Sequence, residues 1–235
     1  MTNPLASPAN YPEMLNKISI WTFVSSFALT LVVGAACPAA AHALGKYHVR
    51  IDVYGGIAVP LMYIVPPVVI SVVFRIVRLH DKISDRFAIR QNFDVFHILL
   101  PLAGTVGYAL DLDRLEVLKK ERRQLMNKTF YRYASSTEPK IQRHLITRAL
   151  DNWSWYWILI EFLVIGTFAF FFLLLCGAYH AAAWLGAALL LLTPLGIFGG
   201  RFCVRAADAE VREILANADR CREIKAVFDA LYRPG

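Results

Sequence analysis

The sequence predicts an all-α polytopic membrane protein: four transmembrane helices, a helical cytoplasmic module between spans two and three, and an amphipathic C-terminal helix. Three observations carry this expectation. Four apolar stretches, Ile18–Ala41, Val53–Val77, Trp153–Gly177 and Ala181–Phe202, are each long enough to cross a hydrocarbon layer about 30 Å thick at about 1.5 Å per helical residue. Inside them stand only two charges of note, Glu161 in the third and Arg75 near the exit of the second. The chain is 57% hydrophobic and 18% charged, whereas a soluble domain is about one quarter charged.

The elements follow in order as a tail (1–16), spans one and two (17–77), a basic module (78–152), spans three and four (153–202) and a C-terminal helix (203–235). Pro4, Pro8 and Pro12 favour extended chain in the tail, which is either a bland leader or a strip across a cytoplasmic mouth. Lys17, the apolar run and Ala41-His42-Ala43 imitate a signal peptide, but the run exceeds the usual h-region and is read as a retained helix. Span one carries Trp21, Phe23 and Phe27 as ordinary packing material, with Ser25, Ser26 and Thr30 able to bond backbone.

Span two is the irregular one. Pro60, Pro66 and Pro67 each lack an N–H and crowd the carbonyl four residues back, those of Gly56, Met62 and Tyr63. Freed carbonyls in lipid must border protein or water. Tyr63 adds a hydroxyl at mid-membrane depth. The alternatives are a static kink and a helix that lines or gates a pore. Leu79, Ile83 and Phe87 then continue a helical period into water, with His80, Asp81, Asp85 and Arg86 as interhelical polar partners.

Phe93–Leu110 is too short and broken for a span and fits a buried or interfacial helical hairpin. Asp111–Tyr133 reads as a charged helix with an apolar face, Ser135–Pro139 as a break, and Lys140–Asn152 as a second helix. Thr193-Pro194 is a further kink in span four, and Gly196, Gly199 and Gly200 permit close backbone approach. Ala206–Tyr232 is amphipathic.

Basic residues orient the chain. Gly177–His180 contains none and His42–Asp52 only Lys46 and Arg50, whereas 78–152 and the tail after Gly200 are rich in them. Both termini and the module are therefore expected in the cytoplasm. Trp153, Trp155, Tyr156 and Trp157 form an aromatic belt at the start of span three.

Among candidate functional residues, Glu161 stands first because an ionisable group inside a membrane is costly. Its readings are a hydrogen bond to a Ser, Thr or Tyr, an ion pair with Arg75 or Arg78, a pore lining, or proton transfer. Pro60, Tyr63, Pro66 and Pro67 complete the pore or gate candidates. In the module, ten Lys/Arg stand against five acids between Asp111 and Leu150. Arg122, Arg123, Lys128, Tyr131, Arg132, Tyr133, Lys140, Arg143 and His144 are candidates for an anionic nucleotide or oligonucleotide, combining phosphate contacts with stacking. Anionic lipid, simple topology or a protein partner are the alternatives. The four cysteines, Cys37, Cys176, Cys203 and Cys221, show no ligand spacing and read as packing residues, with no disulfide framework and no metal site. No Walker A loop, HExxH or GxSxG occurs, so no enzyme and no cofactor is expected.

The layout of four spans, a basic module and a cytoplasmic C-terminal helix resembles the small four-transmembrane effector subunits of bacterial anti-phage defence systems. Arg78–Phe87 and Ile89–Asp94 are the most family-like stretch. The resemblance implies a homo-oligomer, commonly a tetramer, that disrupts or conducts across the membrane under control of a nucleotide or a soluble cytoplasmic defence protein. It assigns no residue a role. A non-conducting membrane adaptor and a small transporter are the alternatives from the residues themselves.

Overall fold

The computed structural model describes residues 3–38, 50–53, 57–107 and 112–231. Helix dominates: α1 Tyr11–Ala36, α2 Leu61–Val77, α3 Leu79–Arg86, α4 Ile89–Phe93, α5 Leu100–Thr105, α6 Leu112–Lys120, α7 Arg122–Leu125, α8 Arg143–Leu175, α9 Tyr179–Leu215 and α10 Ala218–Leu231. Two π-helical turns, Asp94–Leu99 and Met126–Phe130, continue α4 and α7. A short antiparallel hairpin pairs β1 (Arg50–Val53) with β2 (Ile57–Pro60), Arg50 opposite Pro60 and Val53 opposite Ile57.

Among the described residues, three helices, α1, α8 and α9, are long and apolar enough to cross a membrane. A fourth is present only if α2 and α3 count as one span, and the two are bent by 53°. The expected helix over Val53–Val77 is thus corrected. Its first part is strand, and Pro60 is extended (φ −60°, ψ 134°) ahead of a helix of 17 residues. That helix is about 26 Å long, slightly under the usual spanning length. The expected continuation into water also breaks. Arg78 adopts a left-handed conformation (φ 51°, ψ 56°), and its N–H caps the Phe74 and Arg75 carbonyls.

The N-terminal tail ends at residue 10 rather than 16, because a capping box starts α1 early. Asn10 Oδ1 accepts the Glu13 N–H at 2.9 Å, and Glu13 Oε2 accepts the Ala9 N–H at 2.8 Å. Pro12 falls in the first turn, where its missing N–H costs nothing. At the other end, α9 runs on to Leu215, so the C-terminal amphipathic stretch is two pieces. Asn217 Oδ1 caps α10 by accepting the Asp219 and Arg220 N–H groups.

The described residues form two compact units. The first comprises Met1–Ala6, Leu15–His80 and Ser154–Gly199. Here small residues set the packing. A β-carbon on Gly166 would stand 2.6 Å from Leu189 Cδ2, one on Gly34 2.6 Å from Tyr63 Cε1, and one on Gly186 3.0 Å from Phe170 Cε2. The expected close approach at Gly196 and Gly199 is ordinary contact instead, at 4.0 and 3.6 Å. Outward faces are apolar: α2 exposes Val65, Val68, Val69, Val72 and Ile76, and α9 exposes Trp184, Leu190, Leu191 and Ile197. Such continuous apolar surface is what lipid solvates and water does not.

The second unit comprises Ser7–Met14, Asp81–Trp153 and Gly200–Gly235. It has its own core, built from Ile98, Leu99, Leu102, Leu118, Leu125, Met126, Phe130, Val211, Ile214, Ile224 and Phe228. The stretch expected as a helical hairpin is one interrupted helical run, α4 through α5, with Val95, Leu99 and Leu102 wholly buried. The charged helix beyond it breaks at Glu121 (φ −90°, ψ 10°), yet Leu118 and Leu125 still reach the core.

Candidate functional site

The first unit encloses a polar site in an apolar bundle. Glu161, on α8, is 3% exposed. Thr22, facing it from α1, donates its hydroxyl to Glu161 Oε2. The same Oγ1 lies 2.9 Å from the Ile18 carbonyl, so one proton serves two acceptors. His80, at the start of α3, places Nδ1 3.9 Å from Glu161 Oε1. That is ion-pair range for a protonated ring but too long for a hydrogen bond. The ring is held edge-on by Trp157 on α8, centroids 6.0 Å apart.

A cavity of about 180 Å³ opens beside this group, lined by Leu15, Ile18, Ser19, Thr22, Ser71, Phe74, Arg75, Arg78, His80 and Glu161. Its α2 wall is tied to α1. Ser71 Oγ donates to the Ser19 carbonyl at 3.2 Å, and Arg75 donates to Asn16 Oδ1 at 3.0 Å and Ser19 Oγ at 3.2 Å. Arg75 thus bonds to α1, so of the alternatives for Glu161 the ion pair with Arg75 is not the one formed. The Ser or Thr partner expected for Glu161 is Thr22; the basic partner is His80. Further along α1, the Ser26 hydroxyl is buried with no hydrogen-bond partner among the described residues.

The tail closes against the same unit. Lys17, buried, donates to the Ala6 carbonyl at 3.2 Å and lies 4.6 Å over the Trp155 ring. Trp21 Nε1 donates to the Pro4 carbonyl at 3.2 Å. Of the aromatic belt, Trp155 therefore anchors the tail and Trp157 braces His80. Pro66 and Pro67 lie inside α2, Pro67 fully buried, while Pro60 precedes the helix and cannot kink it. Tyr63 lays its ring on Gly34 of α1. The Gly56 carbonyl lies outside the described residues.

Residues 10–230 match the YmfE protein family, a span that takes in most of both units. The chain belongs to that family. No curated protein and no solved structure matches it.

The second unit of this YmfE-family chain holds the residues predicted for anion binding, and most are committed to the fold. Arg122 donates to Asp94 Oδ2 at 2.8 Å, both side chains being largely buried. Burial pushes the Asp94 carboxyl up to about 6, against the opposing pull of Arg122 and Arg90. Tyr131, whose hydroxyl burial raises, accepts from Arg90 at 3.4 Å. Tyr133 is buried and donates to Glu223 Oε2 at 2.6 Å; burial and that carboxylate push it up to about 12. Arg132, Lys140 and Arg220 stand 5.8–5.9 Å from its ring, and Arg132 also pairs with Glu223 at 3.1 Å. Arg123, Lys128, Arg143 and His144 are exposed, as are Tyr131, Arg132 and Lys140 apart from the contacts just described. The partners missed from sequence, Asp94, Glu223 and Arg220, come from distant segments with no local spacing to mark them.

Proposed function

We propose that this YmfE-family protein is an oligomeric, channel-like effector of the bacterial inner membrane, gated from the cytoplasm. In this reading four spans cross the bilayer, α1, the bent pair α2 and α3, α8 and α9, with both termini cytoplasmic. Several copies, four in the arrangement we favour, surround the pathway, since four helices in one chain enclose too little space for a wide aqueous path. The observation that supports it is the convergence of Glu161, Thr22, His80, Arg75 and Arg78 on one cavity. A carboxylate kept inside an apolar bundle is retained against its desolvation cost, which is how functional groups in membranes stand out. The cavity lies at the end of proline-containing α2, where the left-handed Arg78 interrupts the helix. Interrupted backbone at membrane depth is tolerated where protein or a water-filled cavity borders it, which is compatible with a gate at this point.

The reading involves no catalytic step. The exposed Arg123, Lys128, Arg143 and His144 side chains supply the face for an anionic nucleotide, an oligonucleotide or an acidic protein. The resemblance of the layout to four-transmembrane anti-phage effectors suggests the biological setting. Reconstituted into liposomes, the protein should release an entrapped dye, and Glu161→Gln should change that release about tenfold with expression unaltered. Absence of conductance and dye release in every variant, with and without an anionic ligand, rules the channel out.

The second reading is a non-conducting membrane adaptor, favoured by the separate core of the second unit. It predicts stoichiometric co-purification with a soluble protein and no dye release.

A further inference from the structure

Sequence distance conceals a pair of cysteines in the first unit. Cys37 directly follows α1, and Cys176 directly follows α8. The Cys37 and Cys176 thiols lie within interaction range of one another. Cys37 is 4% exposed and packs among Leu173, Leu174 and Ala178, which flank position 176 on both sides. Cys176 is exposed.

The backbone on each side is fixed. The Cys37 N–H bonds to the Val33 carbonyl at 2.9 Å, and the Cys176 N–H to that of Phe172 at 3.0 Å. Gly177 (φ +73°) ends α8 in a left-handed turn, with N–H groups of Gly177 and Ala178 returning to Leu174 and Leu173. Two helix ends therefore present two sulfurs to one another, one accessible to a reagent and one behind it. That order suits an attacking thiol and a resolving thiol.

We propose that Cys37 and Cys176 are a disulfide-forming modification site that staples the end of α1 to the end of α8. The oxidant is a small-molecule or protein disulfide. The Cys176 thiolate attacks one sulfur of that disulfide, the oxidant S–S bond breaks, and one thiolate leaves. Cys37 loses its proton and attacks the Cys176 sulfur of the mixed disulfide. The Cys37–Cys176 bond forms as the second thiolate departs. The two thiols give up two electrons and two protons, and the oxidant becomes two thiols.

The consequence reaches the polar site, because α1 and α8 also carry Thr22 and Glu161. The staple limits how far these two helices part. Oxidation in the cell rests on the proposed orientation, in which the Gly177–His180 turn, lacking Lys and Arg, faces the oxidising side.

The test uses the full-length protein in detergent, treated with oxidised glutathione, then denatured and alkylated with a polyethylene-glycol maleimide without reduction. The expected gel shift corresponds to two alkylated cysteines of the four, and to four after dithiothreitol. In Cys176→Ser all three remaining cysteines should be alkylated, whereas in Cys37→Ser, with no resolving thiol, Cys176 should stay capped as a glutathione mixed disulfide seen by mass spectrometry. Four alkylated cysteines in the oxidised wild-type protein overturn the proposal. A separate arm treats intact spheroplasts of the Cys37→Ser variant with an impermeant maleimide. Labelling of Cys176 supports the outward placement. Protection there, with pairing intact in detergent, overturns the orientation and the disulfide in the cell while the paired geometry stands.

Discussion

Asp94 in the second unit and Glu161 in the first are both buried carboxylates, and these two are treated in opposite ways. In the second unit Asp94 meets a guanidinium, Arg122, at 2.8 Å, with Arg90 acting from farther off. In the first unit Glu161 is more deeply buried, yet it is placed against a threonine hydroxyl and a histidine at 3.9 Å. Arg75 lines the same cavity and spends its donors on Asn16 and Ser19. Asp94 is neutralised in place and works as a structural tie. Glu161 sits against weaker partners beside open volume, an arrangement that leaves the carboxylate able to respond to what enters. The contrast separates a polar group that specifies a fold from one suited to a function.

The largest expected effect breaks the tie. Arg122→Ala strands a buried carboxyl and should destabilise the second unit by about 3 kcal/mol in a denaturant or thermal melt of the intact protein. Asp94→Asn leaves the shape and removes the charge, so it should cost less, and adding it to Arg122→Ala should restore part of the loss. Strictly additive losses in the double variant would mean that Asp94 and Arg122 do not form the coupled pair described.

Acidity sharpens the same comparison. The native Asp94 carboxyl sits at about 6, above its ordinary range, so the folded unit holds a proton that the unfolded chain has released. Its contribution to stability is complete below about pH 4 and is lost as pH rises through about 6, a decrease of about 2–3 kcal/mol. The wild-type protein should therefore lose stability relative to Asp94→Asn between those two values. A constant difference across that window would remove burial as the dominant influence on Asp94.

In the first unit, size rather than charge is the sensitive variable. Gly34→Ala drives a methyl group to 2.6 Å from Tyr63 Cε1, closer than carbon atoms tolerate. The expected cost is about 1–3 kcal/mol, read as a lowered melting temperature in detergent. Tyr63→Leu should relieve it in the double variant.

Much of this was legible in the residues, and the failures are specific. Length and apolarity mark α1, α8 and α9 because a membrane-length helix needs nothing beyond its own composition. Glu161 is conspicuous for the same reason: one charge stands out in an apolar run. The β1–β2 hairpin was missed although Gly55-Gly56 separates two runs rich in β-branched residues, a hairpin signal masked by overall apolarity. Contacts between distant segments have no such trace. His80 with Glu161, Tyr133 with Glu223 and Cys37 with Cys176 each join residues whose pairing depends on tertiary packing, and no periodicity records it.

The smallest expected effect tests whether the second unit's basic surface belongs to its stability at all. Arg123 and Lys128 are exposed and lie outside the Asp94 and Tyr133 networks. Surface charges of this kind contribute within about 0.5 kcal/mol of zero. Replacing both by glutamate should leave the melting temperature unchanged while weakening any binding of an anionic nucleotide in a salt-dependent manner. Arg122→Ala offers the internal contrast, since it removes a single charge, from a largely buried site, and should cost stability first. If the exposed pair destabilises the protein as much as Arg122→Ala does, the surface is part of the fold's support and the division between structural and recognitive cations fails. If stability holds and binding falls, the cations left outside the buried pairs are the ones available to a partner.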